Sequence, residues 1–182
     1  IDYENMTWKP SENGVYAFDV EIFDVENMYK NFLIGVSYLD REELNFTNIV
    51  EDTSLVDWED GTGSRSVSFD WNGQHFNIDA KVEGDWFDSS VADDLNRIII
   101  SQDTGKQLYF TSDGYQEGIV FYCDKEWAND FEKDTGLKLE EFNQWLKFLK
   151  RIGVLWENYI VKNAERKLIQ SYGWFLIAVF VV

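Results

Sequence analysis

Residues 66–83 read SVSFDW, then Asn72-Gly73, then QHFNIDAKVE. Two alternating apolar and polar runs flank an Asn-Gly pair. Both residues of that pair tolerate positive φ, so the stretch predicts a tight β-hairpin. No other part of the chain constrains the fold as tightly.

Other segments read more coarsely. Residues 14–25, GVYAFDVEIFDV, alternate with an aromatic bias and read as a strand; 30–39, KNFLIGVSYL, read as another. Residues 106–111 and 118–123 read as a second hairpin joined by SDGYQE. Residues 86–100 place Phe87, Val91, Leu95, Ile98 and Ile99 at helical spacing, with Asp85 as the expected cap and Asp88 in the first turn. Residues 124–135 read as a short helix, with Asp124 as cap, Trp127 and Phe131 on its apolar face, and Gly136 at C′. Residues 140–171 are helical in period, through Phe142, Leu146, Leu149, Ile152, Trp156 and Ile160. Residues 172–182, YGWFLIAVFVV, carry no charge. They are too short for a bilayer, which needs about 20 apolar residues. A buried final strand is the expected reading, with a membrane-contacting end as the alternative. The expected fold is α+β over 1–182 as a single domain. An antiparallel sheet from the first 83 residues and the 106–123 hairpin would pack against several helices, with a helical C-terminal segment at 140–171 and the terminal strand at 172–182.

Charge narrows the function. The net charge is −18. Residues 1–100 carry 22 acids and 6 bases, so −16; residues 101–182 carry 12 acids and 10 bases, so −2. Such a chain repels nucleic-acid phosphates and attracts basic proteins and cations. Two stretches concentrate the acids around aromatic rings. Residues 51–63, EDTSLVDWEDGTG, and 82–94, VEGDWFDSSVADD, each hold five carboxylates. The lone Cys123 forms no intrachain disulfide, and the start, IDYENMTWKP, lacks the basic and apolar regions of a secretion signal. The expected compartment is cytoplasmic.

Metal and enzyme readings find little support. A calcium loop begun at Asp57 fits Glu59 at its third position but places Gly61 at the fifth, Thr62 at the sixth and Ser68 at the twelfth, and so fails. His75 and Cys123 are too few for a zinc site. His75 lies mid-strand with no nucleophile signature, and no phosphate-binding or nucleophile-elbow motif occurs. Asp57 or Glu59 with Asp85 or Asp88 could form a glycosidase pair, but the sequence does not set their separation. The expectation is no enzyme, no cofactor and no metal. An interaction surface fits better, because indoles supply contact area and carboxylates steer a basic partner. The candidate partner-binding residues are Asp57, Trp58, Glu59, Asp60, Asp85, Trp86, Asp88, Asp93 and Asp94.

The profile, above all GDWFDSSVADDLNRII and GIVFYCDKEWANDFEKDTGLKL, resembles the immunity proteins of bacterial toxin systems, including contact-dependent inhibition. These are small, acidic, cysteine-poor α+β domains that neutralise a toxin, often a basic nuclease. The resemblance implies a cognate toxin as partner, with no direct nucleic acid binding. It is one of size, charge and texture, so it carries over no binding residue. The expected function is occlusion of a basic toxin by the acidic, aromatic surface. A nucleic-acid mimic that blocks a DNA-binding enzyme, or a membrane-associated protein using its C-terminal segment, is the alternative.

Overall fold

A computed structural model gives Asn72 a φ of +50° and Gly73 a φ of +73°. That combination suits the twist of paired strands. The turn joins β4 (Thr62–Trp71) to β5 (Gln74–Lys81), in register from Ser64↔Lys81 to Trp71↔Gln74. Alternation along β4 buries Arg65, Val67, Phe69 and Trp71. A slip of one residue would turn all four to solvent, so burial and turn chemistry fix the same register.

The structure describes residues 14–22, 24–112 and 116–141, which belong to one unit spanning Ile1–Trp145. Within them the fold is α+β, with every strand pairing antiparallel. The single expected sheet is two sheets. In one, β2 (Thr47–Asp52) and β3 (Val56–Asp57) pair with one side of β4 and β5 with the other. The second has the order β1-β7-β6-β8, built from β1 (Val15–Asp19), β6 (Gln107–Ser112), β7 (Glu117–Cys123) and β8 (Glu140–Glu141). Helix α2 (Ser90–Ser101) packs against both β5 and β6 and leads the chain from one sheet to the other. The hairpin expected from 106–111 and 118–123 is β6–β7.

Helix α3 (Lys125–Thr135) follows its sequence signals. Trp127 N donates to Asp124 Oδ1, and Gly136 closes the helix at φ +73°. Helix α2 starts later than expected. Trp86 and Phe87 are extended beside residues 20–22, and Asp88, not Asp85, accepts from Ser90 N. The long strand expected over 14–25 ends at Asp19, and Val25–Asn27 form a 3-10 turn. Residues 30–39, expected as a strand, lie mostly in helix α1 (Met28–Ser37). Its buried Met28, Tyr29, Phe32, Leu33 and Val36 recur at helical spacing. Glu140 and Glu141 are strand rather than helix. The rest of the expected 140–171 helix and the 172–182 strand lie outside the described residues.

The main core is aromatic where α1 crosses β1. Phe32 packs edge-on to Phe18 at a centroid distance of 5.3 Å and against Phe87 at 4.9 Å. Gly35 on α1 faces the Tyr16 ring of β1, and any Cβ there would overlap that ring. Gly35→Ala is therefore expected to lose about 1–3 kcal/mol by overpacking, read from the urea midpoint. An unchanged midpoint would refute the tight helix–strand approach.

Candidate functional site

The acidic stretch 51–63 is shaped by its own carboxylates. Asp57 Oδ1 accepts from Glu59 N at 3.0 Å and Asp60 N at 3.1 Å, which closes the turn between β3 and β4. Gly61 and Gly63 take φ values of +62° and +116°, and Leu55 O leaves no room for a Cβ on Gly63. This backbone then meets the second acidic stretch. Gly84 N donates to Gly61 O at 2.9 Å, and Val82 N donates to Gly63 O at 3.1 Å. Two segments distant in sequence thus become neighbouring loops. Asp57, Trp58, Glu59, Asp60, Asp85 and Trp86 are exposed on them, with Trp58 at 49% and Trp86 at 42%.

Beneath Trp58 lies a buried ion pair. Arg65 Nη1 donates to Glu51 Oε1 at 2.9 Å, and the two side chains are 1% and 2% exposed. The same nitrogen donates to Val25 O at 2.5 Å. Glu51 Oε2 accepts from Tyr29 N at 3.0 Å and Lys30 N at 2.9 Å. A carboxylate from β2 therefore caps the first turn of α1, where free N–H groups and the helix dipole favour negative charge. Burial nevertheless holds the Glu51 carboxyl above its usual pKa, against those donors and the guanidinium. The Arg65 guanidinium lies 5.4 Å from the Trp58 ring centroid and 5.6 Å from that of Tyr29. One face of Trp58 is thus engaged from below, and the indole is held in place by the fold.

Three further expected partner-binding residues lie outside these two loop tips, and two of them are drawn into the fold. Asp88 is half-buried and bonded to its surroundings: its Oδ1 accepts from Ser90 N, its Oδ2 from Lys81 N, and its own N donates to the Tyr29 hydroxyl. Asp93 is 5% exposed on the inner side of α2 and offers no carboxylate to a partner. Burial pushes its pKa up to about 6, with Arg97 opposing the shift. Asp94 keeps its carboxylate at the surface of α2, where it pairs with the exposed Arg97 one turn on. Sequence reasoning also missed Glu21, which lies directly opposite Trp86. The alternation of Val20, Glu21 and Ile22 gave its outward direction, but not its neighbour.

Other chemistry is sparse. His75 Nδ1 and Asp70 Oδ1 lie 2.6 Å apart on the exposed β4–β5 hairpin. Hydrogen bonds from Asn48 and then His75 hold the Asp70 carboxyl below its usual pKa. The dyad has the composition of a general base but is open to water. A cleft of about 410 Å³ lies between α3 and the segment leading into β8, with Tyr109, Asn129, Glu132 and Glu140 among its walls. None of the acid and indole loop residues lines it. Among the described residues no group of three or more His, Cys, Asp or Glu is placed to hold a metal, and no helix is long and apolar enough to cross a membrane.

Two outcomes follow. Glu51→Ala leaves Arg65 buried without its carboxylate and should lose about 3–5 kcal/mol, whereas Glu51→Met with Arg65→Met together should recover most of it in a denaturant double-mutant cycle. For Asp93, a folded pKa above the unfolded one means that its favourable contribution is complete below the usual carboxylate range. That contribution is lost as pH rises through about 6. Asp93→Asn should remove this decline, so its stability advantage over the parent chain should be larger at pH 7 than at pH 4.5. Equal differences at the two pH values would reject the assignment.

A comparison of the chain with protein-family models, curated proteins and solved structures finds no match in any of the three.

Proposed function

We propose that this chain is a non-catalytic inhibitor of the immunity type, which binds a basic protein toxin and covers its active site. The observation that carries the reading is the meeting of the two acidic loops through Gly61 and Gly84. It brings together the loops that carry Trp58 and Trp86, each roughly half-exposed, with exposed carboxylates on both. Interfaces are built this way, with large rigid aromatic anchors inside a charged border. The rim supplies long-range attraction for a cationic partner and repels nucleic acid. Asp57 holds its own turn and Trp58 rests on a buried guanidinium, so little order remains to be gained on binding. The size, acidity and texture shared with toxin-immunity proteins support the same reading.

The test is capture of a partner from a lysate of the source organism, with washes at low and high salt and identification by mass spectrometry. One basic protein retained stoichiometrically at high salt supports a dedicated inhibitor. Many DNA-binding proteins lost at high salt point to mimicry of nucleic acid instead. With the captured partner in hand, changing Asp57, Glu59 and Asp60 together to Asn, Gln and Asn should slow association and make affinity less dependent on salt than in the parent chain. The urea midpoint should stay close to that of the parent chain. Unchanged association kinetics would remove this loop from the interface.

A further inference from the structure

Trp86 and Glu21 form the closest kind of cross-strand pair. Ile22 N donates to Asp85 O and Phe87 N donates to Val20 O, each at 2.8 Å. These bonds bracket Glu21 and Trp86 and make them a non-hydrogen-bonded pair, in which Cα atoms approach to about 4.5 Å and side chains lie closest. Val20, Ile22 and Phe87 are buried, so Glu21 and Trp86 share the outer face. The Glu21 carboxylate is already oriented, because Gln116 Nε2 donates to its Oε2 at 2.6 Å. Among the described residues no donor reaches its Oε1. Glu83, also exposed, pairs with Trp86 across the turn that precedes it, with Trp86 N donating to Glu83 O at 3.3 Å.

We propose that Trp86, Glu21 and Glu83 form an acceptor site for an arginine side chain of the partner protein. The inference rests on the inhibitor reading above and names the chemistry that reading leaves open. A guanidinium is planar, so it stacks on the indole while its fork of N–H groups reaches a neighbouring carboxylate. A lysine ammonium gains the charge attraction but neither the stacking nor the fork. Trp58 is the contrasting ring. Its π system already faces the Arg65 guanidinium at 5.4 Å, and that positive charge opposes a second cation. Trp58 therefore offers apolar area, and Trp86 takes the cation. A second copy of the chain is a poor occupant, since each copy carries −18.

The experiment titrates the ¹⁵N-labelled chain with N-acetyl-arginine amide and, separately, N-acetyl-lysine amide, following the indole N–H signals. The Trp86 signal should saturate at lower concentration with the arginine compound than with the lysine one, while the Trp58 signal stays still. Glu21→Gln should raise the dissociation constant at least threefold. It exchanges an exposed carboxylate for an isosteric amide, so an undisturbed spectrum verifies its fold. Gln116→Ala should give a smaller rise. Equal response to both compounds, equal movement of the Trp58 signal, or an unchanged constant in Glu21→Gln would each overturn the site. Loss of arginine preference with partner capture intact sinks this site and spares the inhibitor reading. Arginine binding with no captured protein upholds the site and sinks that reading.

Discussion

The Glu51–Arg65 pair is the constraint around which the described fold is arranged. Removing two charges from water is expensive, and their attraction repays it only when the remaining donors and acceptors find partners. Here most of them do. Glu51 spends its second oxygen on the first turn of α1, and Arg65 reaches the carbonyl of Val25. The pair therefore fixes more than itself. It ties β2 to β4, positions α1 over the sheet, anchors the 3-10 turn, and provides the floor on which Trp58 rests. A nonpolar pair of similar volume could fill the space, but it would not specify where the helix begins.

Electrostatics at the surface works in the opposite sense to electrostatics in the core. Beneath the surface, Glu51 and Arg65 are paired and bonded. On the two loops, Asp57, Glu59, Asp60, Glu83 and Asp85 are all exposed, and among the described residues none of them forms an ion pair. Mutual repulsion in such a group is tolerable because the groups are solvated and screened. It also sets the sign of whatever approaches. The backbone bonds between Gly61 and Gly84 and between Gly63 and Val82 hold these carboxylates near one another despite that repulsion.

Elements whose signals are local were legible in the sequence. Asn72-Gly73 made its hairpin, Asp124 and Gly136 bounded α3, and β6 and β7 paired across their turn. Elements decided from afar were not. KNFLIGVSYL is an apolar run that suits strand or helix, and what tips it to helix includes a carboxylate contributed by β2. The two-sheet arrangement follows from β1 pairing with β7, where Val15 meets Phe121, a partnership that no local pattern announces. The acid and indole composition of the site was legible from Trp58 and Trp86 with their neighbours. That Asp93 faces inward and Asp88 is bonded to Lys81 and Ser90 was not legible, because counting carboxylates does not reveal which of them the fold uses. Glu21 escaped notice because its relation to Trp86 exists only after β1 and the segment before α2 have come together.

That late partnership has a consequence for how the molecule is made. During synthesis β1 emerges well before β7, and its buried Tyr16 and Phe18 have no sheet to join until Phe121 and Val120 are outside the ribosome. The β4–β5 hairpin closes on itself at once, whereas β1 must wait. A nascent chain halted after α2 would hold a finished hairpin beside an orphaned apolar strand, which is the kind of segment chaperones retain.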